Sequence, residues 1–352
     1  MADPTPVFSA VSSSARQLLL LLRCISFAKK AQVRISPEGL RFSTEEGSVM
    51  EAFVFLESAL FTSYTYTPAP PPSSQDDPPD PPTFEINLQS LLETLNIFSL
   101  SDLNASSSRR PGGGGDYDGY STHRLARHAN MNNNAFTNPA FGLTGVCTFS
   151  YTGEGHPLSI HLSESGVTTT CDLTTYGAET AGEEIPFNRD ALALKTILRS
   201  TYLLDAVMEL SNLAPAHLTL TASPTSQHSA ADLSLSASGP LGSVTVDFTA
   251  TAALETPILE TFHCPEKCTA SFQFALIKHA QRAMAVATKV SVRVDGEGVL
   301  SMQFLVEVGG GGNGGNGGEE CAAAFVDFRV VPLLEDEVDG DRGRGSEGSQ
   351  SE

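Results

Sequence analysis

Acidic, histidine and cysteine side chains form three clusters that have the residue types of a metal or catalytic site. The first, Asp76, Asp77 and Asp80, lies in the proline-rich run PAPPPSSQDDPPDPP at 68–82. Such a run favours an extended, polyproline-like loop, which offers neither a histidine nor a rigid scaffold to bring the carboxylates together. We therefore interpret these three aspartates as part of a solvated loop.

The second cluster is His263, Cys264 and Cys268. A structural zinc ion needs four ligands, and His263 and Cys264, as neighbours on a predicted strand, should point to opposite faces. Asp295 and Glu297 form the third cluster, in a DGEG turn that is a strong hairpin signal but brings no further carboxylates together. We predict no bound metal, no cofactor and no catalytic residue in this chain.

The composition limits which partners are expected. The 352 residues include 21 Lys or Arg and 41 Asp or Glu, which gives a formal net charge of -20. A strongly acidic chain repels nucleic acid on average, so any contact with DNA needs local positive charge. The six cysteines are scattered, which is typical of reduced thiols in the cytosol or nucleus. The leucine run Leu18–Leu22 is far shorter than the roughly 20 residues of a membrane span, so no membrane partner is predicted.

The elements that must position any site follow one repeating pattern, a short strand that leads into a one-sided helix. It is clearest at Phe84–Phe98, where FEIN reads as a strand and leucines then recur at helical spacing. Similar units occur where Pro6–Val11 leads into Ala15–Phe27, Leu194–Arg199 into Tyr202–Leu210, and Ser271–Ala275 into Leu276–Ala287. Strand-rich sequence follows each unit, which predicts an α+β fold with antiparallel sheets in two similar halves.

Changes in composition divide the chain. We predict a first domain at 1–175, with the proline-rich loop at 68–82 and a low-complexity insertion at 101–144. The small, acidic segment 176–184 is the predicted connector between domains. The second domain is predicted at 185–334, and the segment 335–352 is predicted to be an acidic, disordered tail.

Five stretches together carry a family resemblance across nearly the whole chain. The chain resembles the checkpoint sliding-clamp subunits of the rad-one type, which are relatives of proliferating cell nuclear antigen. The matching stretches occur in the family's order: FEINLQSLLETLNIF at 84–98, YTGEGHPLSIHL at 151–162, ILRSTYLLDAVMELS at 197–211, LETFHC at 254–264 without the inserted TPILE, and KVSVRVDGEGVLSMQF at 289–304.

The resemblance implies a fold and a function. Each subunit would contain two similar clamp domains, with antiparallel sheets outside and two helices per domain on the inner face. Three subunits, namely this chain and two homologous partners, would close into a ring around double-stranded DNA without sequence preference. An ATP-driven clamp loader would place the ring on DNA in the nucleus, and the loaded ring would recruit checkpoint and repair proteins.

A ring retained by encirclement needs only an inner wall that attracts phosphate. On this view Arg16 and Arg23, seven residues apart, share one face of the first helix. Lys278 and Arg282, four apart, share one face of the last helix. With the basic residues beside the helices, the predicted DNA-facing set is Arg16, Arg23, Lys29, Lys30, Lys195, Arg199, Lys278 and Arg282.

The other two helices carry acids, which limits this interpretation. Glu93 lies on the second helix, and Asp205 and Glu209 lie on the third, so we expect a lopsided wall completed by partner subunits. An acidic histone-binding or scaffold protein is one alternative, although the charge is spread through periodic sequence rather than concentrated in one tract. A 3′–5′ exonuclease, a label that some relatives have carried, is the other alternative. Ring closure would use exposed strand edges, which the sequence does not identify.

Overall fold

The computed structural model of the protein describes residues 5–68, 80–97, 146–164, 167–178, 184–224, 232–249, 257–308 and 322–334. The predicted insertion 101–144 and tail 335–352 lie outside the described residues, as do most of the loop 68–82 and part of the connector 176–184.

The chain divides into two compact units. The first comprises Met1–Thr44, Val54–Ala181 and Glu307–Ala324, and the second comprises Glu45–Phe53, Gly182–Val306 and Phe325–Glu352. The main division, between residues 181 and 182, falls inside the segment predicted as the connector.

In the first half of the chain, strands alternate with two helices. The strands are β1 Phe8–Ser12, β2 Lys30–Ile35, β3 Gly39–Glu46, β4 Met50–Glu57, β5 Ser63–Tyr66, β6 Thr83–Asn87, β7 Val146–Tyr151, β8 Leu158–Glu164, β9 Val167–Leu173 and β10 Tyr176–Gly177. The helices are α1 Ala15–Cys24 and α2 Leu88–Asn96. One sheet has the order β5-β1-β7-β8-β9, and β10, β6, β2, β3 and β4 are consecutive neighbours in another.

Each helix of the first half begins with a side-chain cap. Ser14 Oγ accepts a hydrogen bond of 3.2 Å from the Gln17 amide, and Asn87 Oδ1 accepts one of 2.9 Å from the Ser90 amide. Each bond satisfies an amide that has no partner inside its helix.

The second half repeats this arrangement. Its strands are β11 Leu192–Arg199, β12 His217–Ala222, β13 Leu233–Gly239, β14 Gly242–Phe248, β15 Leu259–His263, β16 Cys268–Gln273, β17 Lys289–Asp295, β18 Leu300–Val308 and β19 Ala322–Val330. Its helices are α3 Ser200–Ser211, α4 Phe274–His279 and α5 Gln281–Val286. One sheet has the order β14-β13-β12-β16, and β19, β18, β17, β11 and β15 are consecutive neighbours in another. The predicted α+β fold with antiparallel sheets is confirmed.

The last predicted helix, Leu276–Ala287, differs from the structure because it is broken at Ala280. The Ala280 amide bonds to Ile277 O at 3.1 Å, a three-residue closure that tightens the end of α4. Met284 N then bonds to Ala280 O at 2.9 Å and α5 begins. Neither glycine nor proline marks this break in the sequence.

An apolar core holds the helices of the second unit against its sheets. Leu198 of β11, Leu203 of α3, Ile277 of α4 and Val292 of β17 line one small apolar cavity. The buried face of β11 therefore points toward the helices. Among the described residues, no helix is long and apolar enough to cross a membrane.

Candidate nucleic-acid interface

The exposed face of α1 presents two arginines. Arg16 and Arg23 are exposed, while Leu18, Leu19 and Leu22 beneath them are buried. The spacing of seven residues places both guanidinium groups on one side of the helix, as predicted from the sequence.

The neighbouring helix α2 contributes one acid to this face. Gln89 and Glu93 are exposed, and Gln89 Nε2 donates a hydrogen bond of 2.9 Å to Glu93 Oε1. Arg23 Nη2 donates a bond of 3.1 Å to Asn96 Oδ1 at the end of α2. The helices of the first unit therefore expose two arginines against one glutamate.

The helices of the second unit balance two cations against two acids. Lys278 of α4 and Arg282 of α5 are both exposed. On α3 the exposed residues include Asp205 and Glu209. His279 Nε2 lies 2.9 Å from Glu46 Oε2, so this histidine is engaged beside Lys278. The uneven distribution of charge expected from the sequence is thus present on the helices themselves.

Three of the predicted DNA-facing residues lie on strands rather than on helices. Lys195 and Arg199 are exposed on β11, on the face opposite Leu194 and Leu198. Because Leu198 points toward α3 and α4, the side chains of Lys195 and Arg199 point away from those helices.

Lys30 has the same placement in the first unit. It is exposed on β2, on the face opposite the buried Ala31 and Val33. Its ammonium nitrogen lies 3.0 Å from Glu85 Oε2 and 5.5 Å from the centre of the Tyr176 ring. Lys29, the remaining residue of the set, is exposed in the connection between α1 and β2.

In the acidic cluster at the DGEG turn, the Asp295 side chain is bound by backbone amides. Asp295 is 2% exposed, and its carboxylate accepts hydrogen bonds from the Asn188, Glu297 and Val299 amides at 3.1, 3.0 and 2.9 Å. This carboxylate therefore closes the DGEG turn and holds the segment that precedes β11. In turns, an aspartate side chain commonly accepts a hydrogen bond from the amide two residues later. The DGEG sequence carries this pattern.

The residues of the cysteine cluster lie in different surroundings. His263 is exposed, whereas Cys264 is buried and its Sγ donates to Glu266 O at 2.9 Å. Burial raises the pKa of Cys264 and raises that of Cys268 to about 11, so both favour the thiol over the metal-binding thiolate. Within the part of the chain that the structure describes, no group of three or more His, Cys, Asp or Glu side chains could hold a metal ion.

Two edge strands, one in each unit, share the same local construction. β9 ends one sheet of the first unit, and β14 ends one sheet of the second. In β9, Asp172 Oδ1 accepts a hydrogen bond of 2.6 Å from Ser159 on the neighbouring strand. In β14, Asp247 Oδ1 accepts one of 2.6 Å from Ser234. By chain order β9 corresponds to β19 of the second half and β14 to β4 of the first, so the two edges occupy different positions in the repeated fold.

This fold is that of the sliding clamps. The chain is similar to proliferating cellular nuclear antigen from Entamoeba histolytica, with a TM-score of 0.62 and 15% identity, over 94% of this chain and 100% of that one. It is also similar to proliferating cell nuclear antigen from Thermococcus kodakaraensis, with a TM-score of 0.58 and 17% identity, over 93% and 100% of the two chains. The predicted two-domain clamp fold is confirmed.

The sequence comparison then gives the family. The profile described as "Repair protein Rad1/Rec1/Rad17" matches residues 7–306, and this chain belongs to that family. It is 29% identical to the DNA damage checkpoint control protein rad1 of Schizosaccharomyces pombe, over 98% of this chain and 94% of that protein. It is 25% identical to the human cell cycle checkpoint protein RAD1, over 86% and 88% of the two chains. The DNA repair exonuclease REC1 of Mycosarcoma maydis is 25% identical, over 65% of this chain and 59% of that one.

Proposed function

We propose that this chain is one subunit of a three-subunit clamp, built with two homologous subunits, that encircles double-stranded DNA in the nucleus at sites of damage. A clamp loader places the ring, and the loaded ring recruits checkpoint and repair proteins. The family, whose members include proteins named for DNA damage and cell cycle checkpoints, supports this assignment.

The observation that carries the proposal is the pair of edge strands β9 and β14, one from each unit. Each ends its sheet, and an unpaired edge is a ready template for pairing with another chain. A ring of subunits needs one such edge for each of its two neighbours. Val167 in β9 is 57% exposed, which leaves apolar surface for a neighbour to cover.

The helix faces support a weak and sequence-independent contact with DNA. Arg16, Arg23, Lys278 and Arg282 are the exposed cations of the helices, and Lys29 follows α1. A few such residues attract phosphate through screened charge without reading bases. Lys30, Lys195 and Arg199 are left out of this wall, because the alternation of their strands places them on the opposite faces.

The test of ring formation is co-purification followed by measurement of mass. We expect two homologous subunits in equal amounts with the wild-type chain, and loss of one of them when Val246→Lys places a charge on the edge strand β14. Val146→Lys is the matched control, because Val146 is 44% exposed on β7, a strand with neighbours on both sides. Equal recovery of both partners with the two variants would refute closure through β14.

Encirclement itself has a separate test. An assembled ring should remain on closed circular DNA at high salt and slide off the same DNA once it is linearised, because its retention is topological. Equal loss from both forms would show ordinary surface binding instead.

The proposal assigns no catalysis to this subunit, although one relative is named an exonuclease. It is supported by Asp295, whose carboxylate already serves three backbone amides. Incubation of the pure chain with end-labelled DNA and Mg²⁺ tests it. Degradation that a carboxylate substitution abolishes would overturn the non-catalytic assignment.

A further inference from the structure

A row of cations crosses the sheet face of the second unit that points away from the helices. Lys195 and Arg199 of β11 lie directly opposite Arg293 and Lys289 of β17, respectively. Residues opposite each other on neighbouring antiparallel strands have Cβ atoms about 5 Å apart and point to the same side. We call these four residues the cationic strip.

The acids next to the strip neutralise only half of it. Glu260 Oε2 lies 2.6 Å from Lys289 Nζ, and Asp327 Oδ1 lies 3.8 Å from Arg293 Nη2. Lys195 and Arg199 are exposed and pair with no acid among the described residues. In a chain with a formal charge of -20, two adjacent unneutralised cations on a rigid strand form a distinctive surface.

Arg293 is held in place as a fixed member of the strip. Its guanidinium lies 5.6 Å from the centre of the Phe187 ring, and Nη2 donates to Ser301 Oγ at 3.1 Å. Its side chain is 14% exposed, and its Nε has no hydrogen-bond partner among the described residues. Burial lowers the pKa of this guanidinium and the nearby Arg189 and Arg329 lower it further, whereas Asp327 opposes them. The surroundings of Arg293 therefore favour an additional anion.

The described chain ends between the turn that follows β17 and strand β16, where Leu333 N bonds to Ser271 O at 2.7 Å. The Pro332 ring packs against Gly298 in the turn between β17 and β18. The same turn bonds through the Gly296 amide to Ala191 O, at 2.9 Å, directly before β11. Lys195 follows four residues later, about 13 Å along the strand.

The segment that follows Leu334 has the complementary charge. Residues 335–341 read EDEVDGD, with five acids and no base. Seven residues reach at most about 25 Å when extended, which covers the distance from the turn to Lys195 and Arg293. A short tether of this kind gives an effective concentration on the order of millimolar, enough to fill a weak site.

We propose that the acidic segment 335–341 of this same chain docks on the end of the cationic strip nearest the turn, at Lys195 and Arg293. The docked segment places carboxylates beside Lys195, one of the two cations that Glu260 and Asp327 leave unneutralised. It thereby blocks this face to other anions, such as acidic protein segments or DNA phosphates. This docking is independent of ring formation.

The first test is zero-length carbodiimide cross-linking of the dilute full-length chain, with the products located by mass spectrometry. We expect an amide between the Lys195 amine and a carboxylate of 335–341, unchanged by about tenfold dilution because the pairing is intramolecular. About 0.5 M salt should suppress the product, because it shortens the screening length to a few ångströms. Lys278, which is also exposed, on α4, is the matched control and should give no product with this segment.

The second test compares Lys195 in the wild-type chain and in a full-length variant with a neutral segment, Glu335→Gln, Asp336→Asn, Glu337→Gln, Asp339→Asn and Asp341→Asn. Release of the segment should raise the labelling of Lys195 by an amine-reactive reagent about threefold, and leave Lys278 unchanged, if the site is mostly filled. Three outcomes would overturn the proposal: cross-links spread evenly over Lys195 and Lys278, a product that depends on protein concentration, or labelling of Lys195 that ignores the neutral segment. Protection of Lys195 by a short duplex alone would assign the strip to DNA instead, and would also overturn it.

Discussion

Arg23 on α1 and Asn96 at the end of α2 are joined by a hydrogen bond of 3.1 Å between the guanidinium Nη2 and the amide Oδ1. The bond leaves Arg23 exposed while fixing one nitrogen of its guanidinium group. An arginine held in this way loses less side-chain freedom when it meets a phosphate than an unrestrained one would. In the clamp that we propose, the helix pair therefore presents Arg23 as a prepared contact for DNA phosphate.

Reversing the charge of the α1 arginines should weaken the hold of the assembled ring on DNA. We expect Arg16→Glu with Arg23→Glu to lower the affinity for a short duplex about tenfold near 0.1 M salt, because two attractions to phosphate become repulsions. The slope of log affinity against log salt should become shallower by about 0.9 for each phosphate that the ring no longer neutralises. Titration of a labelled duplex at several salt concentrations measures both quantities.

The matched control for that experiment is Lys30→Glu with Arg34→Glu. These two residues are exposed four positions apart on β2, opposite its buried face, and the substitutions make the same change in net charge. An equal loss of affinity in the control would show that total charge, rather than the face of α1, governs binding.

Removing the acids of α3 should act in the opposite direction. Asp205→Asn with Glu209→Gln removes two negative charges from the exposed face of that helix, so the affinity of the ring for DNA should rise about threefold at low salt. Fluorescence anisotropy of a labelled duplex measures this. Glu266→Gln with Glu297→Gln, at exposed turns of the same unit, is the control; a rise of the same size there would contradict a DNA-facing role for α3.

These helix faces could be predicted from sequence because their signal is local. Leucines at helical spacing predicted α2, and seven-residue spacing placed Arg16 and Arg23 together. Lys195 and Arg199 were grouped with the helices because they precede α3 in the chain. The alternation Leu194, Thr196, Leu198 on a buried strand would have placed them on the far face instead.

Other features depend on long-range pairings that no local pattern encodes. The short segment Glu45–Phe53 belongs to the second unit although it comes from the first half of the chain. Asp295 was considered as a metal ligand, but its partner Asn188 lies 107 positions earlier in the sequence. The partner amide of a buried carboxylate becomes visible only once distant segments are placed.

Loss of the Asp295 carboxylate should destabilise the second unit. Asp295→Ala leaves three backbone amides without their acceptor in a site where the side chain is 2% exposed, so we expect a loss of about 2–4 kcal/mol in the free energy of unfolding. Asp295→Asn is the matched variant, because its remaining oxygen can still serve Glu297 and Val299, and it should cost less. Urea unfolding measures both, and equal stability of the Ala variant and wild type would contradict the role of Asp295 as a turn closure.

Asp327 should make the stability of the second unit depend on pH. Burial raises the pKa of this carboxyl, although the hydrogen bond from Gln303 and the nearby arginines Arg293, Arg329 and Arg189 oppose the rise. In the pH range between the ordinary aspartate pKa and this raised value, the folded state holds a proton that the unfolded state has released. The free energy of unfolding contributed by Asp327 is therefore greatest at low pH and falls as the pH rises through this range. Asp327→Asn cannot titrate, so wild-type stability minus variant stability, measured by urea unfolding at several pH values, should decrease as the pH rises. A difference that is flat or increases with pH would show that the arginines, rather than burial, dominate this carboxyl.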